Sequence, residues 1–285
     1  MNRLGWILVL FLIPFLTNGD KEKTAWRAPD QPVYVVTQNH YAQDFNGTTP
    51  RFGDLIAIEI FNPAARSADD DTAYKPGQQL ALFIGGRKEG DVKVETVKAM
   101  QCDSSAALVT PAANVHLKKG AMALASNALS VRPHGAYQRQ PGFGERKYAV
   151  QLAMNEFRKH GVPEAMASDI KIDQLIVTKI DDSNSQFLIG SLSLRTKTAL
   201  HQIFLIGKIG ISSATAEFVQ YDKSTDLTDG TDAEDYRFVD QLDLDGDGVD
   251  EVVVELRGYE DEEFDIYKRH NGSWSEVHEG GEGGC

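Results

Sequence analysis

Cysteine is nearly absent: two occur in 285 residues, Cys102 and the terminal Cys285. With no Cys-x-x-Cys spacing they make no zinc cluster. Two readings of the pair stay open. One is a disulfide formed after export; the other is a buried small hydrophobe at Cys102 and an exposed thiol at Cys285. Positive charge is also scarce, with 29 Lys and Arg against 42 Asp and Glu and a formal net charge of −13. Such a balance repels nucleic-acid backbones and anionic membrane surfaces and leaves no nucleic-acid partner. Catalytic signatures are missing too: there is no HExxH, no GxSxG elbow, no P-loop and no GxGxxG. Gly142-Phe143-Gly144 sits in a Pro-rich stretch with no strand before it, and the seven histidines are scattered.

Long apolar runs are lacking except for one. Leu4 to Leu16 follows Asn2-Arg3 and precedes the small residues Thr17-Asn18-Gly19. As a helix it would span about 20 Å, short for a hydrocarbon core of about 30 Å. Residues 1–19 therefore read as a cleavable secretory signal peptide, with no cysteine following for lipoprotein processing. The expected address is secreted or periplasmic, with no membrane span after cleavage.

What is present is mainly β-type. Val33–Val36, Leu55–Ile60, Leu80–Ile84 and Val92–Val97 are β-rich runs divided by turn signals such as Asn46-Gly47, Lys75-Pro76-Gly77 and Gly85-Gly86. They predict a β barrel or sandwich over residues 30–131. Ala64 to Thr72, with Asp69-Asp70-Asp71, reads as a solvated loop. Pro and Gly between Val131 and Glu145 mark a linker. Val150, Ala153, Met154 and Phe157 then recur at helical steps, and Gly161 and Pro163 stop the helix. After a turn over Pro163 to Ile170, strands at 171–180, 186–194, 202–206 and 214–221 complete a lobe, residues 145–221, of one main helix on an antiparallel sheet. In residues 236–285, strands at Tyr236–Leu242, Val252–Leu256, Phe264–His270 and Ser273–Val277 form a four-stranded module. Asn271-Gly272 suits its type I′ hairpin, and Trp274 is expected to pack on the sheet. Asn46-Gly47-Thr48 and Asn271-Gly272-Ser273 match glycosylation sequons, which matter only in a cell that performs that modification.

One segment carries chemistry. In Asp243-Leu244-Asp245-Gly246-Asp247-Gly248-Val249-Asp250-Glu251, carboxylates stand at positions one, three, five and nine between two strands. Oxygen ligands so spaced can converge on a hard cation that tolerates six- to eight-fold coordination, which points to Ca2+. The glycines permit a chain to wrap closely around an ion. An EF-hand fits less well, since position twelve is Val254 and strands, not helices, flank the loop. Without an ion, four converging carboxylates would disfavour one another; the competing reading is a solvated acidic hairpin loop. Asp250, between the ligands, is expected to face solvent.

The strand, acidic loop, strand and hairpin over residues 236–280 resemble one FG-GAP or VCBS-type repeat, the calcium-binding blade of integrin-like propellers and of many exported bacterial proteins. The resemblance implies side-chain ligands Asp243, Asp245, Asp247 and Glu251, with the backbone carbonyl of Val249 between them, in a single copy. The leading expectation is an exported, non-catalytic binding or scaffold protein with structural calcium in an FG-GAP-like C-terminal module. The alternatives are an exported hydrolase whose site assembles only in three dimensions, or a calcium-dependent surface protein contacting a polysaccharide or another protein.

Overall fold

A computed structural model describes residues 26–38, 54–64, 74–99, 105–112, 115, 117, 121–127, 138–225, 235–258 and 261–284. The expected signal peptide, both cysteines, the Asp69–Asp71 run and residues 131–137 of the expected linker lie outside them.

Six strands close into a barrel: β1 (Val33–Gln38), β2 (Leu55–Phe61), β3 (Gln79–Ile84), β4 (Arg87–Ala99), β5 (Ser105–Pro111) and β6 (Met122–Ala125), in the order β1-β2-β5-β4-β3-β6. Strand β6 closes it by pairing with both β1 and β3. In β1 all four residues Val33–Val36 are buried because neighbouring side chains serve two cores. Tyr34 and Val36 point into the barrel, while Val33 and Val35 point outward onto another sheet. The interior is crowded by Tyr34 and Tyr74, stacked at 4.8 Å. Small partners make room for them, notably Ala57, Ala107, Ala123 and Ala125.

Helix α1 (Phe143–Lys159) buries Ala149, Ala153, Met154 and Phe157. The Glu145 carboxylate accepts from the Gly142 amide at 2.7 Å and pairs with Arg139, fixing the helix start. Gly161, at φ 84°, ends it. The expected turn at Pro163 to Ile170 is a 3-10 helix over Glu164–Asp169. Next come β7 (Lys171–Thr178), β8 (Gln186–Arg195), β9 (Leu200–Ile209) and β10 (Ala214–Ser224), ordered β10-β9-β8-β7. One face of this sheet carries α1 through Leu175, Leu188, Leu192 and Leu205.

The final sheet runs β11 (Asp235–Leu242), β12 (Glu251–Arg257), β13 (Asp261–His270) and β14 (Ser273–Gly284) in sequential order. Asn271 and Gly272 take positive φ, 51° and 83°, in the expected hairpin, and Trp274 is buried on the sheet. Both faces of this sheet are covered. Phe238, Val252, Val254 and Tyr267 meet Phe187, Ile189, Phe204 and Ile206 of the middle sheet. Val239, Leu242, Val253, Phe264 and Ile266 meet the outside of the barrel. The layers are therefore helix, middle sheet, C-terminal sheet and barrel. Residues Glu251–Glu255 of β12 are all buried, which explains the unbroken Val252-Val253-Val254 run.

Two features hold the inner sheets in register. The Gln174 side-chain amide behaves as a peptide unit toward Phe238, accepting from its N–H at 2.8 Å and donating to its carbonyl at 2.9 Å. Opposite Leu175, Gly190 lies so close to β7 that a Cβ would sit 2.0 Å from the Gln174 carbonyl oxygen. Gly190→Ala is expected to cost about 3 kcal/mol or more, because backbone must move to admit the methyl. Gly144→Ala, in open space on α1, should leave stability unchanged or raise it by about 0.5 kcal/mol; urea unfolding of the two variants checks the contrast.

Candidate metal centre

The acidic loop leaves β11 at Leu242 and enters β12 at Glu251, two residues that pair directly across the strands. Its glycines do what wrapping demands: Gly246 and Gly248 take φ of 75° and 88°. The loop's own amides then orient the carboxylates. Asp243 Oδ2 accepts from the Gly248 N–H at 3.0 Å and Asp245 Oδ1 from the Asp247 N–H at 3.2 Å. Asp247 Oδ1 accepts from the Val249 N–H at 2.9 Å and Glu251 Oε2 from the Leu244 N–H at 2.7 Å. Every one of the four thus spends one oxygen on the loop.

Three of the second oxygens meet on a single cation. The Lys268 ammonium, from β13, donates to Asp245 Oδ2, to Asp247 Oδ2 at 2.7 Å and to Glu251 Oε1 at 3.2 Å. Carboxylate oxygens of Asp243, Asp245 and Asp247 lie within 4.8 Å of one another. The Lys268 side chain is 4 % exposed and Glu251 is 0 % exposed, so the inner side of this charge cluster stands out of water, while Asp247 at its outer side is exposed. Burial, with the Asp245 charge, raises Glu251 to about 8, although Lys268 and the Leu244 amide pull it down. Burial lowers the Lys268 ammonium, but hydrogen bonds to Asp245 and Asp247 and the Glu251 charge outweigh it and raise the group above the usual lysine range.

Three of the four expected side-chain ligands, Asp243, Asp245 and Asp247, are brought together directly, and Glu251 joins Asp245 and Asp247 through Lys268. The fifth expected ligand, Val249, lies in the loop beside them and bridges to Asp181 of the β7–β8 connection. Asp250 departs from expectation: it is buried, not solvent-facing. Its amide donates to the Ile180 carbonyl at 2.6 Å, and its carboxylate accepts from Gln241 Nε2 at 3.3 Å. Gln241 also donates to the Lys179 carbonyl at 2.7 Å, so the middle sheet grips the loop's far end. Sequence reasoning missed Lys268 and Trp26, whose ring lies 5.9 Å from the lysine nitrogen. The signal for the lysine was the alternation Phe264, Ile266, Lys268, which places a charge on an apolar face.

The donor set suits calcium: hard carboxylate oxygens, preset by the backbone, around a point already held by a positive group. Asp243, Asp245, Asp247 and Glu251 would hold the ion, which would supply charge neutralisation to the loop. Comparisons with protein-family models, with curated proteins and with solved structures find no match for this chain.

Beside the loop, Asp240 is buried where the barrel meets the C-terminal sheet. Burial raises it to about 7, against hydrogen bonds from the amides of Gln241, Gly86 and Gly85 and from the Gln138 side chain. A carboxyl raised in the folded state favours folding when protonated. Its contribution is fully present below the unfolded value near 4 and is lost as pH rises through about 7. With chelator present, thermal stability should fall from pH 4 toward 7. Asp240→Asn should flatten that slope by up to about 4 kcal/mol; equal slopes in both proteins would refute the assignment.

Proposed function

We propose that the chain is an exported binding or scaffold protein whose C-terminal sheet is braced by structural calcium in an FG-GAP-like loop. The observation that carries this reading is the division of oxygens: four carboxylates each give one oxygen to loop amides or lie beside those that do, and three turn the other toward one cation. Amides that fix an anionic cage in advance lower the cost of ordering it around an ion. The loop also opens β12, the strand buried between two layers, so a bound ion would act on the core and not on a surface flap.

Export is supported by the apolar run Leu4 to Leu16 and its small-residue boundary. Among the described residues no helix is long and apolar enough to cross a membrane. The excess of acid directs the partner toward protein or polysaccharide and away from nucleic acid.

Differential scanning calorimetry of the full chain with calcium and with excess chelator tests the reading. At a hundred times the dissociation constant, binding to the native form alone adds about 2.7 kcal/mol, or roughly 5–10 °C for a chain of this size. Asp243→Asn, which keeps an acceptor for the Gly248 amide, should abolish most of that gain. Superimposable wild-type melting curves in the two buffers would overturn the proposal.

A further inference from the structure

An ammonium has three hydrogens to donate, and Lys268 has three acceptors waiting, one each from Asp245, Asp247 and Glu251. Its coordination is complete, and its position is set by the sheet. Following Phe264 and Ile266 by the two-residue step of β13, Lys268 emerges on the barrel-side face at the level of the loop. Trp26, which packs against that core, presents its ring to the nitrogen. The lysine therefore stands where the inward oxygens converge. A calcium ion bound by the same oxygens would need them at 2.3–2.6 Å, and no ammonium can share that point.

Resting on the calcium reading above, we propose that Lys268 is the resident cation of this loop and that a divalent ion enters by exchange for it. The tethered ammonium keeps the cage assembled when calcium is scarce. Entry of calcium then expels the lysine from between the carboxylates and moves its charge past Trp26. An ion that must displace a local competitor binds more weakly than one entering an open cage. The working range should be that of extracellular modules, around 10⁻⁴–10⁻³ M, which suits an exported protein and makes the loop a sensor of abundant calcium.

Reductive methylation of the wild-type chain, followed by peptide mass mapping, reads the lysine directly. Lys268 should be protected in chelator and become modified in saturating calcium. Calorimetric titration should show Lys268→Met, which keeps the apolar stem, binding calcium at least tenfold more tightly than wild type. Binding by the variant alone would overturn the exchange, since the ammonium would then close the wild-type loop to the ion. Equal protection with and without bound calcium, or equal affinities, would overturn the exchange while leaving the calcium site standing. Flat titrations of both proteins would instead remove the calcium site, and the exchange with it. Should Lys268→Met not fold, the wild-type methylation pattern decides.

Discussion

Glu251 begins the strand on which both inner interfaces are built, and its carboxylate has no access to water. A charge in that place is tolerable only when protonated or closely matched by a cation. Everything around the loop follows from this need. The eight residues Asp243–Asp250 between the paired Leu242 and Glu251 fold back to surround one point. Lys268 sits one position beyond Tyr267, the partner of Val252, so the β12–β13 register delivers an ammonium to the same point. Were that register to slip by one residue, the lysine would turn to the other face and the Val252–Val254 run would lose its match with both layers.

Apolar faces alone do not fix how layers sit on each other, since hydrophobic burial has no direction. Here directional polar links cross the apolar seam between the middle and C-terminal sheets. Gln174 binds the Phe238 peptide, Ser191 donates to the Tyr236 carbonyl, and Arg269 forms a two-pronged pair with Glu217 at 2.7 and 2.8 Å. Asp240 ties the segment before α1 to β11 through Gln138 at 2.9 Å. A half-satisfied group in such a seam would cost about 1–3 kcal/mol, so these links penalise sliding far more than they add to cohesion.

Much of this architecture could be read in the chain. The helix announced itself by period and by Gly161, and the later strands by β-rich runs and the Asn271-Gly272 turn. Strands β5 and β6 escaped notice because Ser105–Pro111 and Met122–Ala125 are rich in alanine, which carries little strand preference. Barrel curvature, not propensity, selects those small residues. The loop carboxylates were legible from spacing alone, whereas Asp250 was misjudged because its burial depends on the β7–β8 connection, some seventy residues away. The lysine needed a three-dimensional premise: that both faces of the C-terminal sheet are covered, so a charge anywhere on it requires a partner.

That same coverage sorts the acids of this sheet into two kinds. Burial raises Asp240 and Glu255 to about 7 and Asp265 to about 6, the last beside the carboxylates of Glu276 and Glu279. These groups can be relieved by taking up a proton where they stand. The loop carboxylates have a cation as well, because one oxygen each of Asp245, Asp247 and Glu251 faces Lys268 while the other accepts from the loop, yet burial still raises Glu251 to about 8. A proton added there must break either a bond to the loop or the bond to the cation. Buried acids of this sheet are therefore relieved by protons, and in the loop by a tethered cation too, which is why the β12–β13 register that delivers Lys268 matters to the whole sheet.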